Sequence, residues 1–103
     1  AAIREAELAL EYDKRGENAP GIAKDLYALG TLHRRTGEVE TAYDYLQRAL
    51  RVSVALNQFE GSRRNLRLLA ELAGELGKPA EAEEYRRQLE LLNQEEDSFV
   101  ESN

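Results

Sequence analysis

The chain repeats itself at an interval of forty residues, and that interval limits its fold more than any other feature. Leu26 and Leu66, Leu29 and Leu69, Gly37 and Gly77, Ala42 and Ala82, and Tyr45 and Tyr85 all stand forty apart. Gly30 is matched by Ala70, and the same offset carries Ala9 onto Ala49, Leu10 onto Leu50 and Gly21 onto Gly61. A fixed period of this length marks a supersecondary unit that buries its apolar face only by stacking on its neighbours. With 103 residues, the chain holds about two and a half such units.

The periodicity inside each unit is helical. Ile22, Leu26, Leu29 and His33 fall at i, i+4, i+7 and i+11, and Ala42, Leu46, Ala49, Ser53 and Leu56 share a second stripe. Leu66, Leu69, Ala70, Ala73 and Leu76 repeat the first stripe, while Ala82, Tyr85, Leu89 and Leu92 repeat the second. Ala, Leu, Glu and Arg dominate the composition, and all four favour helix. The run Val52–Leu56 lies inside a longer helical pattern and is not a strand. The spacing therefore predicts an all-α chain: a helix over 2–15, a helical hairpin over 22–57 and a second over 62–92. Basic residues followed by glycine, as in Lys14-Arg15-Gly16 and Arg34-Arg35-Thr36-Gly37, supply stop signals. Pro20 and Pro79 can open helices because the first turn needs no N–H partner. Asn57–Gly61 is expected to break the chain between the hairpins. A single domain is expected over 1–93, and the acidic stretch 94–103 is expected to be a frayed, disordered tail.

Helices that cross at about 8–10 Å need small residues at the crossing. Gly30 opposite Ala42, and Ala70 opposite Ala82, would provide them, with Leu26, Leu29, Tyr45 and Leu46 filling the flanks. This pattern resembles the tetratricopeptide repeat family. The first copy reads Leu26, Leu29-Gly30, His33, Ala42, Leu46, Ala49; the second reads Leu66, Leu69-Ala70, Ala73, Ala82, Arg86, Leu89. The second departs from the family at Arg86, where an aromatic is usual, and at Leu89, where Ala is usual. The resemblance covers residues 23–56 and 63–92, with helix 2–14 as the second half of a preceding copy. It implies a short solenoid of stacked hairpins with a concave surface lined by the first helix of each hairpin. A period of forty exceeds the family's usual 34 and resembles the longer subset found in kinesin light chains and bacterial regulators. It implies longer helices or loops around 52–62.

On the first helix of each hairpin, the residues turned away from the packed stripe are Lys24, Tyr27, Thr31 and Arg34, then Arg64, Arg67, Glu71 and Gly74. Four cations and a tyrosine on one face of an acidic chain suit an acidic peptide or a C-terminal carboxylate, through charge-assisted contacts. The bland alternative is a solvated helix face. Chaperone-tail receptors of the family place Asn at clamp positions; Ala28, Thr31 and Leu68 occupy the comparable slots, so that specificity is not expected.

Formal net charge is −6, yet residues 19–92 sum to zero. The overall sign opposes nucleic-acid binding, although Arg34, Arg35, Arg63, Arg64 and Arg67 could form a basic stripe. There is no cysteine, hence no disulfide and no thiol chemistry, which fits a reducing, cytoplasmic setting. No stretch approaches the roughly 20 apolar residues of a membrane helix. His33, the one histidine, lacks metal-ligand partners and an orienting carboxylate in its own helix, and its place in the pattern implies packing. Glu81, Glu83 and Glu84 read as solvated. No phosphate loop or nucleophile motif is present. A non-enzymatic interaction scaffold without metal or cofactor is the leading expectation. Two others stand beside it: a self-association module, forming a homo-oligomer or exchanging its N-terminal helix, and a sensor segment of a larger regulator. The apolar positions Ala2, Ala6 and Ala9 at one end, and Leu89 and Leu92 at the other, are expected to lie exposed on the terminal helices.

Overall fold

The computed structural model describes the backbone from Ala2 to Glu101 and side chains as far as Gln94. Five helices follow one another: α1 (Ala2–Arg15), α2 (Ala19–Arg35), α3 (Val39–Ala55), α4 (Phe59–Glu75) and α5 (Pro79–Glu101). No strand occurs among the described residues. Each helix packs against the next in chain order, within a slab of 45 × 35 × 15 Å.

The four connections are one device used four times. After α2, the Gly37 N–H donates to the Arg34 carbonyl and the Glu38 N–H to the His33 carbonyl. The same pair of bonds follows α1 (Glu17 to Lys14, Asn18 to Asp13), α3 (Asn57 to Val54, Gln58 to Ser53) and α4 (Gly77 to Gly74, Lys78 to Ala73). This is the Schellman ending, which satisfies the last helical carbonyls and needs one residue at positive φ. That residue is Gly37 or Gly77 in two turns, and Glu17 (φ 54°) or Asn57 (φ 56°) in the others. The residue after it already serves as N-cap of the next helix, its carbonyl accepting the first helical bond from Ile22, Ala42, Ser62 or Ala82. The chain thus reverses in three residues.

This geometry corrects the expected boundaries. The hairpins begin at Ala19 and Phe59 rather than 22 and 62, and Phe59-Glu60-Gly61 forms the first turn of α4 rather than a break. Asn57 takes the positive φ that the sequence reading assigned to a longer loop. The forty-residue period is filled by helix rather than by long loops: α2, α3 and α4 each span 17 residues. At the far end, α5 continues past Asn93 to Glu101, so the disordered tail expected over 94–103 starts where the backbone is still helical. Side chains beyond Gln94, and residues 102–103, lie outside the described set.

Two clusters form the core. One gathers Leu10, Leu26, Leu29 and Ala49. The other gathers Ala42, Tyr43, Leu46, Leu69, Leu72, Ala73 and Ala82. Each fully buried leucine contributes about 1.5–3 kcal/mol of transfer free energy. The crossing of α2 and α3 is as tight as the sequence implies: a Cβ on Gly30 would lie 2.7 Å from Leu46 Cγ and 3.4 Å from the Ala42 carbonyl oxygen. At the second crossing Arg86 stands where Leu46 does in the first, exposed and paired with Glu83 at 2.8 Å.

The same drift gives α5 a polar outer side. Where α3 carries Tyr43, Leu46 and Leu50 into the core, α5 carries Glu83, Arg86 and Glu90, all exposed, and Arg87 pairs with Glu84 at 2.6 Å. Leu89 and Leu92, expected to lie bare, are half-buried; Leu91 is the exposed one. On α1, Ala2 and Ala9 are exposed as expected, but Ala6 is half-buried against the Leu26 cluster.

Candidate binding face

The stripe residues of α2 and α4 come from the same positions in successive units, so stacking sets them side by side. Tyr27 is half-buried, and the Arg64 guanidinium sits over its ring, Cζ 3.9 Å from the centroid. Such a cation–π contact contributes about 0.5–1 kcal/mol at an exposed site and holds the guanidinium flat on the ring. One turn or more along, Arg34 Nη2 lies 3.2 Å from Glu71 Oε2 and 3.8 Å from Glu75 Oε2. All three groups are more than a third exposed, so the pairs add little to stability. Their effect is on charge, because Arg34 is neutralised locally.

Lys24 and Arg67 are exposed and make no ion pair with any described residue. Thr31 turns its hydroxyl back on its own helix, donating to the Ala28 carbonyl at 3.0 Å. The face is therefore uneven along its length. Its N-terminal half carries Lys24, Tyr27, Arg64 and Arg67, with Glu60 one turn before Arg64 and paired with Arg63, while its C-terminal half carries Arg34 between two glutamates. Of the eight stripe residues named from sequence, the structure joins Tyr27 with Arg64 and Arg34 with Glu71. Glu75 was missed; its signal was the i+4 spacing from Glu71, which puts both carboxylates on one side of α4.

His33 behaves as a packing residue, stacked on Tyr45 with ring centroids 5.4 Å apart. A carboxylate does stand near its ring, Glu38 Oε1 3.3 Å from Nδ1, supplied by the next helix through the tight turn. The approach lacks hydrogen-bond alignment, since Nδ1 has no partner that meets the geometry. The Thr36 hydroxyl, 2.6 Å from Glu38 Oε1, and then His33 hold the Glu38 carboxyl below its ordinary range. Opposite this turn, the Tyr43 hydroxyl donates to Glu81, and burial followed by that bond drives the phenol well above its ordinary range.

A second polar feature sits between α1 and α2. Asp25 is pushed up to about 6, chiefly by burial, then by its hydrogen bond to Asp13 and the Asp13 charge; Lys24 acts the other way. Asp25 Oδ2 is buried without a partner. Asn18 donates to Asp13 Oδ1 at 3.1 Å and accepts from the Gly21 N–H at 3.3 Å. Forty residues on, the same two places hold Ser53 and Asn65, whose amide donates to the Ser53 hydroxyl at 3.4 Å. No group of three or more His, Cys, Asp or Glu among the described residues could hold a metal ion. No described helix is long and apolar enough to cross a membrane.

No family model matches the sequence, and no curated protein or solved structure is significantly similar to it.

Proposed function

We propose that this chain is a non-enzymatic, tetratricopeptide-like scaffold that binds an acidic peptide or a C-terminal carboxylate on the concave face formed by α2 and α4. The observation that carries the reading is Arg64 laid flat on Tyr27, with Lys24 and Arg67 exposed on the same stripe and in no ion pair with a described residue. A guanidinium fixed by a ring keeps its edge N–H groups free for a bidentate carboxylate and loses less freedom on binding. Arg34, held by Glu71 and Glu75, lies outside the anion-binding half and instead suits a peptide residue bearing both a donor and a positive end.

The test uses a fluorescent hexapeptide of alternating glutamate and aliphatic residues with a free C-terminus. Arg64→Ala with Arg67→Ala weakens binding by about tenfold or more, and the wild-type affinity falls as salt rises because exposed charges are screened within about 8–10 Å. Unchanged affinity and salt dependence in the double variant defeats the reading.

A further inference from the structure

Five large apolar side chains stand exposed among the described residues: Leu8 (52%), Tyr12 (79%), Val54 (57%), Phe59 (47%) and Leu91 (47%). They are not scattered. Val54, Phe59 and Leu91 rim a single cavity of about 290 Å³ where the end of α3, the start of α4 and the second half of α5 meet. Its remaining lining among the described residues is leucine, one serine and the carboxamides of Asn57, Gln58 and Gln88, none of them charged. The equivalent positions one unit earlier include Lys14, Glu17, Arg48 and Arg51. Only the second unit builds an apolar groove there. Contiguous exposed apolar surface of this kind marks an interaction site.

The other two exposed side chains form its counterpart. Leu8 and Tyr12 are four residues apart on α1, which places them on one ridge. We propose that the Leu8–Tyr12 ridge of one copy docks into the Val54–Phe59–Leu91 groove of a second copy, so that the chain associates head to tail. The chemistry of the two surfaces agrees. A tyrosine has an apolar body and one polar tip; the groove has apolar walls and three neutral carboxamides able to bond a hydroxyl. A charged side chain entering the same groove would be desolvated without a partner, and neither Leu8 nor Tyr12 brings one. Ridge and groove lie on different helices, α1 against α3–α5, so the contact is heterologous. A joined pair keeps one unused groove on one copy and one unused ridge on the other, and growth continues into an open chain or closes into a ring.

This contact is independent of peptide binding by α2 and α4, and salt separates the two. Peptide binding weakens as salt rises, whereas association of copies carrying a net charge of −6, through a contact apolar at its centre and flanked by Arg4, Glu7, Glu11 and Arg15 of α1, strengthens as their overall repulsion is screened. Sedimentation velocity on the full chain from micromolar to millimolar concentration, in low and high salt, is the first measurement. The decisive one uses two variants: Leu8→Glu with Tyr12→Glu to block the ridge, and Phe59→Glu with Leu91→Glu to block the groove. All four positions are exposed, and circular dichroism checks that both variants remain helical. Each variant alone should self-associate at least about tenfold more weakly than wild type, while an equimolar mixture should give a one-to-one dimer that stops there. A wild-type monomer at millimolar concentration overturns the proposal. So does a groove variant that associates as well as wild type, which would mean α1 pairing with α1, or a mixture that stays monomeric.

Discussion

The α1–α2 and α3–α4 junctions are the same joint built twice, forty residues apart, from different chemistry. At α3–α4 the polar positions are Ser53 and Asn65, neutral and bonded to each other, beside a core of Leu69, Leu72 and Ala73. At α1–α2 they are Asp13 and Asp25, two carboxyls in contact, beside a smaller cluster in which α1 contributes one buried leucine, Leu10. Both joints leave one buried oxygen unbonded, Asn65 Oδ1 in one and Asp25 Oδ2 in the other. In the neutral joint this is a modest cost; in the acidic joint it falls on a carboxyl whose burial beside Asp13 favours the protonated form.

The largest difference should appear in truncations. Leu69→Ala, at a fully buried site, is expected to cost about 2–5 kcal/mol. Leu10→Ala, at the edge of the stack, should cost less and loosen α1 selectively. Urea unfolding and amide exchange resolved by helix measure both. Equal costs would mean the joints are energetically alike.

Next comes the tight crossing. Gly30→Ala puts a methyl against Leu46 and should destabilise by about 1–3 kcal/mol through overpacking, less the gain of roughly 1 kcal/mol in helix propensity. Ala70→Gly at the looser crossing should simply lose about that propensity. Adding Leu46→Ala to Gly30→Ala should remove the clash, and a double-mutant cycle reads the coupling.

The acidic joint has a sign that can be checked. Asp25 lies above its ordinary value of 3.8, at about 6. Its protonated form is favoured in the folded state, so its contribution is complete below the ordinary value and is lost as pH rises through about 6. Amides of α1 should exchange faster at pH 8 than at pH 5 after correction for intrinsic rates. Asp25→Asn, which copies Asn65, should abolish that dependence. A slope that persists in the variant would assign it to another group. At the α2–α3 turn the sign is opposite: the lowered Glu38 carboxyl contributes above its ordinary range and loses that contribution as pH falls.

The smallest expected effect concerns the turns. Glu17 adopts positive φ where Gly37 and Gly77 do so without a Cβ. Glu17→Gly should therefore stabilise by up to about 1 kcal/mol, and Gly77→Ala should destabilise by a similar amount.

Much of this architecture was legible in the residues. The helical stripes and the small residues at the first crossing follow from spacing, because the 3.6-residue turn converts sequence distance into a face. The stripe facing outward on α2 and α4 was legible in the same way. The helix starts at Ala19 and Phe59 were not, because a non-glycine residue can take positive φ when the turn's hydrogen bonds repay the strain, and composition does not report that.

What the sequence determined by itself was the set of helices, their common period and the faces each would bury, since these depend on local periodicity and on contacts that repeat. The tertiary structure alone decided how those faces are used. Stacking α2 beside α4 neutralised Arg34 with Glu71 and Glu75 and set Arg64 on Tyr27; folding α1 onto α2 buried Asp25 beside Asp13 and raised its carboxyl above the ordinary range; and the meeting of α3, α4 and α5 gathered Val54, Phe59 and Leu91 around one groove. Charge and solvent exposure depend on neighbours distant in the chain, and only the packed arrangement supplies them.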